Sequence, residues 1–209
     1  SLKTQLIKPD AGIAPLFWPP FDQTPRDPGY IKGYPPGLRE NGGQYSHAAM
    51  WAVMAFARLG QGDEAAGLWS MLNPIGHALA PQDAARYKVE PYVVAADVYS
   101  VAPHEGRGGW TWYTGSAAWM HRAGIESILG IRREGEFLVI DPCLPAAWPG
   151  YAATVTLGGC ICEIEVRNAS GRGRGIGEAL LNGQTWVLDD TAGLRIPLAP
   201  GRHVLMLTL

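Results

Sequence analysis

The spacing of apolar residues changes character at Gly130, and this change constrains the fold more than any other feature of the chain. Before it, apolar residues recur at helical intervals. Ala48, Trp51, Ala52, Ala55, Phe56 and Leu59 form one stripe of a helix over 45–61, and Met50, Val53 and Met54 make its other side apolar too. A helix that is apolar all round is buried on both sides. Gly60-Gln61-Gly62 breaks the pattern, and Asp63 then reads as the N-cap of a second helix, Glu64 to Leu72, giving a helical hairpin. A short turn at 81–87, a third helix from Val89 to Tyr99 and a fourth over 115–129 complete the helical part. After Gly130 the period is two. Phe137 to Ile140 is strand-like, and Tyr151, Ala153, Val155 and Leu157 alternate with smaller or polar residues. Gly158-Gly159 turns that strand into another carrying Cys160, Cys162, Ile164 and Val166 on one face. Asn182-Gly183 signals a second hairpin between 179–181 and 185–188, and His203 to Leu209 reads as a closing strand. The expected class is therefore α+β multidomain, with a helical part over 1–130 and an antiparallel β-sandwich over 131–209.

The start of the chain is different again. Residues 1–43 carry prolines at 9, 15, 19, 20, 25, 28, 35 and 36, which forbid long helices. Ser1 to Pro19 show no pattern that begins a fold, so the chain reads as a segment of a larger protein. A net charge of −2 gives no general attraction to nucleic acid or to an anionic membrane. No apolar run approaches the roughly 18–20 residues of a membrane span. The three cysteines are Cys143, Cys160 and Cys162. The last two lie on one strand face about 6.5–7 Å apart, a poor disulfide geometry. Sparse, odd-numbered thiols suit a cytoplasmic setting. His77, His104, His121 and His203 have no ligand spacing, so no metal is expected.

Two segments place polar groups at the mouths of helices. Arg39-Glu40-Asn41-Gly42-Gly43-Gln44-Tyr45-Ser46-His47 ends with an imidazole where the 45–61 helix begins. Tyr113-Thr114-Gly115-Ser116 puts a hydroxyl and a glycine N–H where the 115–129 helix begins, with Thr114 as its cap. Unpaired N–H groups and the helix dipole make such a mouth attractive to an anion. Carboxylates (Glu40, Glu90, Asp97) and many aromatics surround these points, and that combination suggests a sugar site that also handles phosphate.

Four motifs occur in order: Arg39-Glu40-Asn41-Gly42-Gly43-x-x-x-His47; Lys88-Val89-Glu90-Pro91-Tyr92-Val93; Gly109-Trp110-x-Trp112-Tyr113-Thr114-Gly115-Ser116-Ala117; and Ile140-Asp141-Pro142-Cys143-Leu144-Pro145. Together they resemble glycoside hydrolase family 94, which holds cellobiose and chitobiose phosphorylases, β-1,2-oligoglucan phosphorylases and the C-terminal region of cyclic β-1,2-glucan synthases. The stretch from Asp27 to Gly37 is most similar to the synthase branch. The resemblance implies the end of an (α/α)6 barrel over 1–130 followed by the β-sandwich. It implies inverting phosphorolysis of a β-glucan oligosaccharide, with inorganic phosphate as co-substrate and no other cofactor. His47, Thr114 and Gly115 would bind phosphate. Arg39 and Glu40 would contact the acceptor sugar, Arg39 standing where relatives often carry lysine. The family's general acid is an aspartate in an earlier motif, and a further phosphate-binding arginine is also expected there. Asp10, Asp22 and Asp27 precede the Glu-Asn-Gly-Gly segment here, and none lies in that motif. The remainder of the barrel, and a second copy in a homodimer, are the protein partners this implies.

On spacing alone, His47 reads as a capping or core histidine. Glu90 and Asp97, seven apart on the expected 89–99 helix, read as salt-bridge or sugar-hydroxyl partners. Arg107 either orders its glycine-rich loop or touches substrate. Gly171-Arg172-Gly173-Arg174-Gly175 falls between strands and reads as a flexible turn, not a nucleotide fingerprint. A non-catalytic carbohydrate-binding or scaffolding piece is the alternative to an enzyme segment.

Overall fold

The computed structural model describes residues 1–188 and 193–209. It is a mixed α+β chain. Among the described residues five α-helices occur in order: α1 (Leu2–Gln5), α2 (Ser46–Arg58), α3 (Gly62–Leu72), α4 (Pro81–Tyr87) and α5 (Thr114–Arg122). The chain continues from α5 into a π-helical turn, Ala123–Ile128. The strands among the described residues are β1 (Gln44–Tyr45), β2 (Asp97–Val98), β3 (Ile131–Glu134), β4 (Phe137–Ile140), β5 (Gly150–Leu157), β6 (Cys160–Arg167), β7 (Glu178–Leu181), β8 (Gln184–Thr185), β9 (Leu194–Pro197) and β10 (Gly201–Thr208). Contacts divide the chain into two compact units, 1–53 with 67–121 and 54–66 with 122–209.

In the first unit, residues 1–43 are largely irregular, as their prolines require, apart from α1 and a 3-10 turn at Gly29–Gly33. α4 starts with Pro81 at its first turn and stops at Lys88, which takes a left-handed conformation (φ 60). The chain does not resume a helix there. The expected helix from Val89 to Tyr99 is absent: Asp97 and Val98 pair instead with Tyr45 and Gln44 as an antiparallel ladder. Val93, Val94 and Val98 suit extended backbone, and this tertiary pairing overrides the weak helical spacing. The loop that follows is tied to the same strand, Gly109 N–H donating to the Asp97 carbonyl (2.9 Å) and Ala96 N–H to that of Trp110 (2.7 Å). Ile13, Tyr87, Ala95 and Val98 form part of one buried cluster.

α2 ends in a Schellman motif that Gly60 (φ 75) makes possible, with Gly60 N–H bonded to the Ala57 carbonyl and Gln61 N–H to that of Phe56, both at 2.9 Å. Its surface differs from the expectation of burial on both sides: Trp51 is 53% exposed and Leu59 70%. α3 begins at Gly62, so Asp63 lies inside its first turn rather than at the cap. Asp63 Oδ1 accepts instead from Ala146 N–H at 2.9 Å.

The second unit holds two sheets, β5-β6-β10-β7-β8 and β3-β4-β9. Both feed one apolar cluster, with Leu138, Ile140 and Ile196 from the smaller sheet and Cys162, Ile164, Val166, Leu205 and Leu207 from the larger. The larger sheet is not wholly antiparallel. β10 runs parallel to β6 with His203 opposite Cys162, because the chain inserts β7 to β9 before returning beside β6. Alternation sets the faces of β6: Cys160, Cys162, Ile164 and Val166 are buried, and Ile161 and Glu165 face out. The three cysteines are free and buried, and burial pushes the Cys162 thiol up to about 11. Asn182 (φ 52) and Gly183 (φ 78) make the tight β7–β8 turn, but β8 stops at Thr185. The 171–175 segment is a pinned turn, not a loose one. Gly173 N–H donates to Asn168 Oδ1 (2.8 Å), its carbonyl accepts from Leu144 N–H (2.8 Å), and Arg174 reaches the Arg58 carbonyl. Among the described residues no helix is long and apolar enough to cross a membrane.

Candidate functional site

All five residues that the sequence singles out, Arg39, Glu40, His47, Thr114 and Gly115, lie in the first unit. The segment carrying the first three is built around Asn41. Its side chain is fully buried and fully bonded, Oδ1 accepting from Phe21 N–H (2.7 Å) and Nδ2 donating to the Phe21 and Tyr34 carbonyls (2.9 Å each). Gln44 is buried likewise, accepting from Ala14 N–H and donating to Ser46 Oγ. Gly43 allows the backbone to double back, since a Cβ there would lie 2.7 Å from Arg39 N. Arg39 itself is held at φ 45, a left-handed conformation uncommon outside glycine.

That turn presents Arg39 between aromatic faces. Its guanidinium carbon is 5.4 Å from the Trp110 ring centroid and 5.9 Å from that of Tyr34, within cation–π range. Nη1 lies 4.0 Å from Asp97 Oδ1 and Nε 3.8 Å from Glu40 Oε2. Both separations are too long for a hydrogen bond. Glu40 Oε2 is therefore a buried polar atom with no partner.

His47 opens α2. Its ring stacks on Trp119 (5.2 Å, 29°) and meets the edge of Trp51 (5.0 Å, 82°). Trp119 is one helical turn beyond Gly115 on α5, on the same face. The stacking thus brings His47 beside the first turns of α5. His47 Nε2 is also buried without a hydrogen-bond partner. Thr114 is the first residue of α5 rather than its cap, and the local bond there is from Ser116 Oγ to the Tyr113 carbonyl (3.1 Å). Thr114 and Gly115 are exposed, and a Cβ built on Gly115 meets nothing within 4 Å. The mouth of α5 is open to a ligand. Tyr45 joins the two halves electrostatically: burial first, then the Glu40 charge, raises its phenol, and Arg39, Tyr34 and Tyr113 all act on it.

Several contributors escape a reading of sequence. Asp97 was expected on a helix surface beside Glu90, but its side chain is 3% exposed, in β2. Burial holds its carboxyl above the ordinary range, against the pull of the Trp110 N–H and of Arg39. The available signal was an acid inside the apolar run from Val93 to Val98. Glu90 is elsewhere, its carboxylate accepting from the Trp112 indole at 3.0 Å. Its carboxyl is held below the ordinary range, first by a bond from its own N–H and then by the indole. Trp110, Trp112, Tyr113 and Tyr92 stand exposed around this loop. Arg107 closes the 99–107 loop through its backbone, with Tyr99 N–H bonded to its carbonyl at 2.8 Å. His77 is a core histidine, stacked on Tyr87 (4.7 Å, 14°) with its pKa lowered chiefly by burial. Among the described residues no group of three or more His, Cys, Asp or Glu could hold a metal ion.

Residues 1–130 match the glycosyl hydrolase 94 superfamily catalytic domain, and the chain belongs to that family. Among similar proteins, the cyclic beta-(1,2)-glucan synthase NdvB of Rhizobium meliloti (strain 1021) is 54% identical over 173 residues, 83% of this chain and 6% of the synthase. The N,N'-diacetylchitobiose phosphorylase of Vibrio furnissii is 34% identical over 82% of this chain and 21% of its own. The 1,2-beta-oligoglucan phosphorylase of Listeria innocua serovar 6a is 29% identical over 75% and 15%. The chain therefore spans about a fifth or less of each of these relatives.

Proposed function

We propose that this chain supplies the phosphate- and acceptor-binding part of an inverting β-glucan phosphorylase site, in a protein of the cyclic β-1,2-glucan synthase kind. On this reading residues 1–130 are the closing segment of an (α/α)6 barrel, and residues 131–209 are a β-sandwich domain. The observation that carries the proposal is that Glu40 Oε2 and His47 Nε2, both at positions singled out by motif, are buried polar atoms without partners. Buried polar groups are nearly always satisfied. Of the three unpartnered atoms of this kind among the described residues, the third is Nε2 of the core histidine His77, and the two at motif positions are the ones that a ligand at this site would satisfy. His47 and the mouth of α5 at Thr114 and Gly115 take phosphate, where N–H donors and the helix dipole favour a dianion. Glu40 accepts from a hydroxyl of the acceptor sugar, and Arg39 lies beside it.

In the reaction, a phosphate oxygen attacks the anomeric carbon and the glycosidic C–O bond breaks. The leaving oxygen takes a proton from a carboxylic acid on the opposite face. Asp97 does not suit that role despite its raised pKa. Its side chain is 3% exposed, with Gly109 packed close against it, so a leaving oxygen has no access to it. The acid, and a further phosphate-binding arginine, are assigned to polypeptide outside this chain. Phosphate-dependent release of glucose 1-phosphate from a β-1,2-glucan tests the proposal. The longer polypeptide should show it, and the isolated 209-residue chain should not, because loss of a positioned acid alone costs roughly 10²–10⁴-fold. Turnover by the isolated chain, or none by the longer one, overturns the assignment.

A further inference from the structure

We infer that Asp97 is the positioning residue of the acceptor end of this site, fixing Arg39 and Trp110 together so that Glu40 keeps a carboxylate oxygen free for a sugar hydroxyl. The inference rests on the reading of Arg39 and Glu40 as sugar contacts.

Asp97 Oδ1 faces both groups. It accepts from Trp110 N–H at 3.1 Å and stands 4.0 Å from Arg39 Nη1. Trp110 in turn lies under the Arg39 guanidinium, 5.4 Å from ring centroid to carbon. One buried carboxylate thus sets where the ring sits and where the cation above it points. The alternative partner for Arg39 is Glu40, whose Oε2 is 3.8 Å from Nε. The Asp97 charge at 4.0 Å balances that of Glu40 on the guanidinium, and without it the cation would close the short gap to Glu40 and occupy the oxygen. Backbone bonds hold the carboxylate in place: β2 pairs with β1 through Tyr45 and Asp97, and Gly109 N–H donates to the Asp97 carbonyl. Gly109 packs close against both carboxylate oxygens, each 2.7 Å from where a Cβ would stand. Burial makes the charge costly, and a buried charge is retained where something charged needs it.

The test uses the longest native polypeptide that carries this chain. Asp97→Asn keeps an oxygen for Trp110 N–H but removes the charge facing Arg39, and Asp97→Ala removes both. Three quantities are read: KM for glucose as acceptor with glucose 1-phosphate as donor, KM for inorganic phosphate in phosphorolysis, and Kd for a β-linked glucose disaccharide in phosphate-free buffer. The acceptor KM and the disaccharide Kd should rise by roughly 10–100-fold in Asp97→Ala, the worth of a charge-assisted contact, and less in Asp97→Asn. The phosphate KM should stay within about twofold, as expected of a group that does not touch phosphate. Gly109→Ala, which presses a methyl group on an intact carboxylate, should reproduce the sugar effect and covers the case in which the Asp97 variants do not fold. On an Arg39→Gln background, Asp97→Asn should add almost nothing to the disaccharide Kd, since the pair acts as one. A parallel rise in both KM values, or additive effects in the double variant, would reduce Asp97 to a general stabiliser of the loop. If the wild type binds disaccharide in an Asp97-dependent way yet shows no phosphate-dependent turnover, the phosphorylase reading falls and the positioning role stands. If the wild type binds no disaccharide, both fall.

Discussion

His47 Nε2 is shut away from solvent beside Trp51 and Trp119, and no hydrogen-bond partner reaches it. Leaving such an atom unsatisfied costs roughly 1–3 kcal/mol. On the proposed reading a bound phosphate would recover that cost, so His47→Ala should weaken phosphate use by about 10–100-fold, the worth of a charge-assisted bond. Sugar binding in phosphate-free buffer should change little. Thr114→Ala separates function from stability more sharply. Because Thr114 opens α5 and makes no cap bond, its loss should leave the melting midpoint nearly unchanged while phosphate KM rises. An unchanged phosphate KM in both variants, measured in the longer polypeptide, would return His47 to the role of a helix-start histidine. At this scale the motifs drew attention to Arg39, Glu40 and His47, and the structure shows a buried atom without a partner on the last two. Asp97 was named only as a carboxylate on a helix with Glu90. What makes that residue matter is its pairing opposite Tyr45, more than fifty positions earlier, and no local spacing encodes such a pairing.

Gly130 marks where helix gives way to strand, and the structure gives the mechanical reason. Its φ is 72, and a Cβ placed on it would overlap the Asp141 carbonyl. Its own carbonyl accepts from Asp141 N–H at 2.8 Å, so the turn into β3 is locked to the end of β4. Gly130→Ala should therefore cost more than the roughly 1–2 kcal/mol of left-handed strain alone, read as a lower urea midpoint with an unchanged slope. A loss well below that range would mean that the junction relaxes freely. The elements on either side were legible where one face is buried and one is wet. β5 and β6 follow their alternation almost residue for residue, whereas α2 buries Met50, Val53, Phe56 and Ala57 and leaves Trp51 and Ala55 of its expected stripe exposed. The helix expected over 89–99 failed because its spacing was carried by few residues and the competing signal was non-local. The parallel pairing of β10 with β6 was equally hidden, since alternation fixes which face is buried but not which neighbour a strand chooses. β3 and β9, four residues each, are too short to show a period at all.

The whole chain is unevenly held, and the unevenness is itself testable. The second unit is laced by ladders: β6 is paired along all eight residues with β5 on one side and β10 on the other. In the first unit, the long stretch between α4 and α5 contains only the two-residue strand β2 among its regular elements. Its loop exposes large side chains, with Tyr92 at 73%, Trp110 at 62%, Trp112 at 65% and Tyr113 at 53%. Covering each of these recovers roughly 1–2 kcal/mol, less than full burial of a large apolar group because each is already partly covered. Local opening is cheapest where buried apolar contacts are few and backbone bonds face water. Hydrogen exchange on the isolated chain should therefore be slowest in β6 and β10 and fastest across 88–113. In the longer polypeptide that same stretch should gain protection, and saccharide with phosphate should add more. The exposed rings also predict concentration-dependent association of the isolated chain, visible by sedimentation velocity and reduced by Trp112→Ser. Uniform protection along the isolated chain, with a strictly monomeric boundary at all concentrations, would show that the aromatic loop is self-sufficient and needs no further partner.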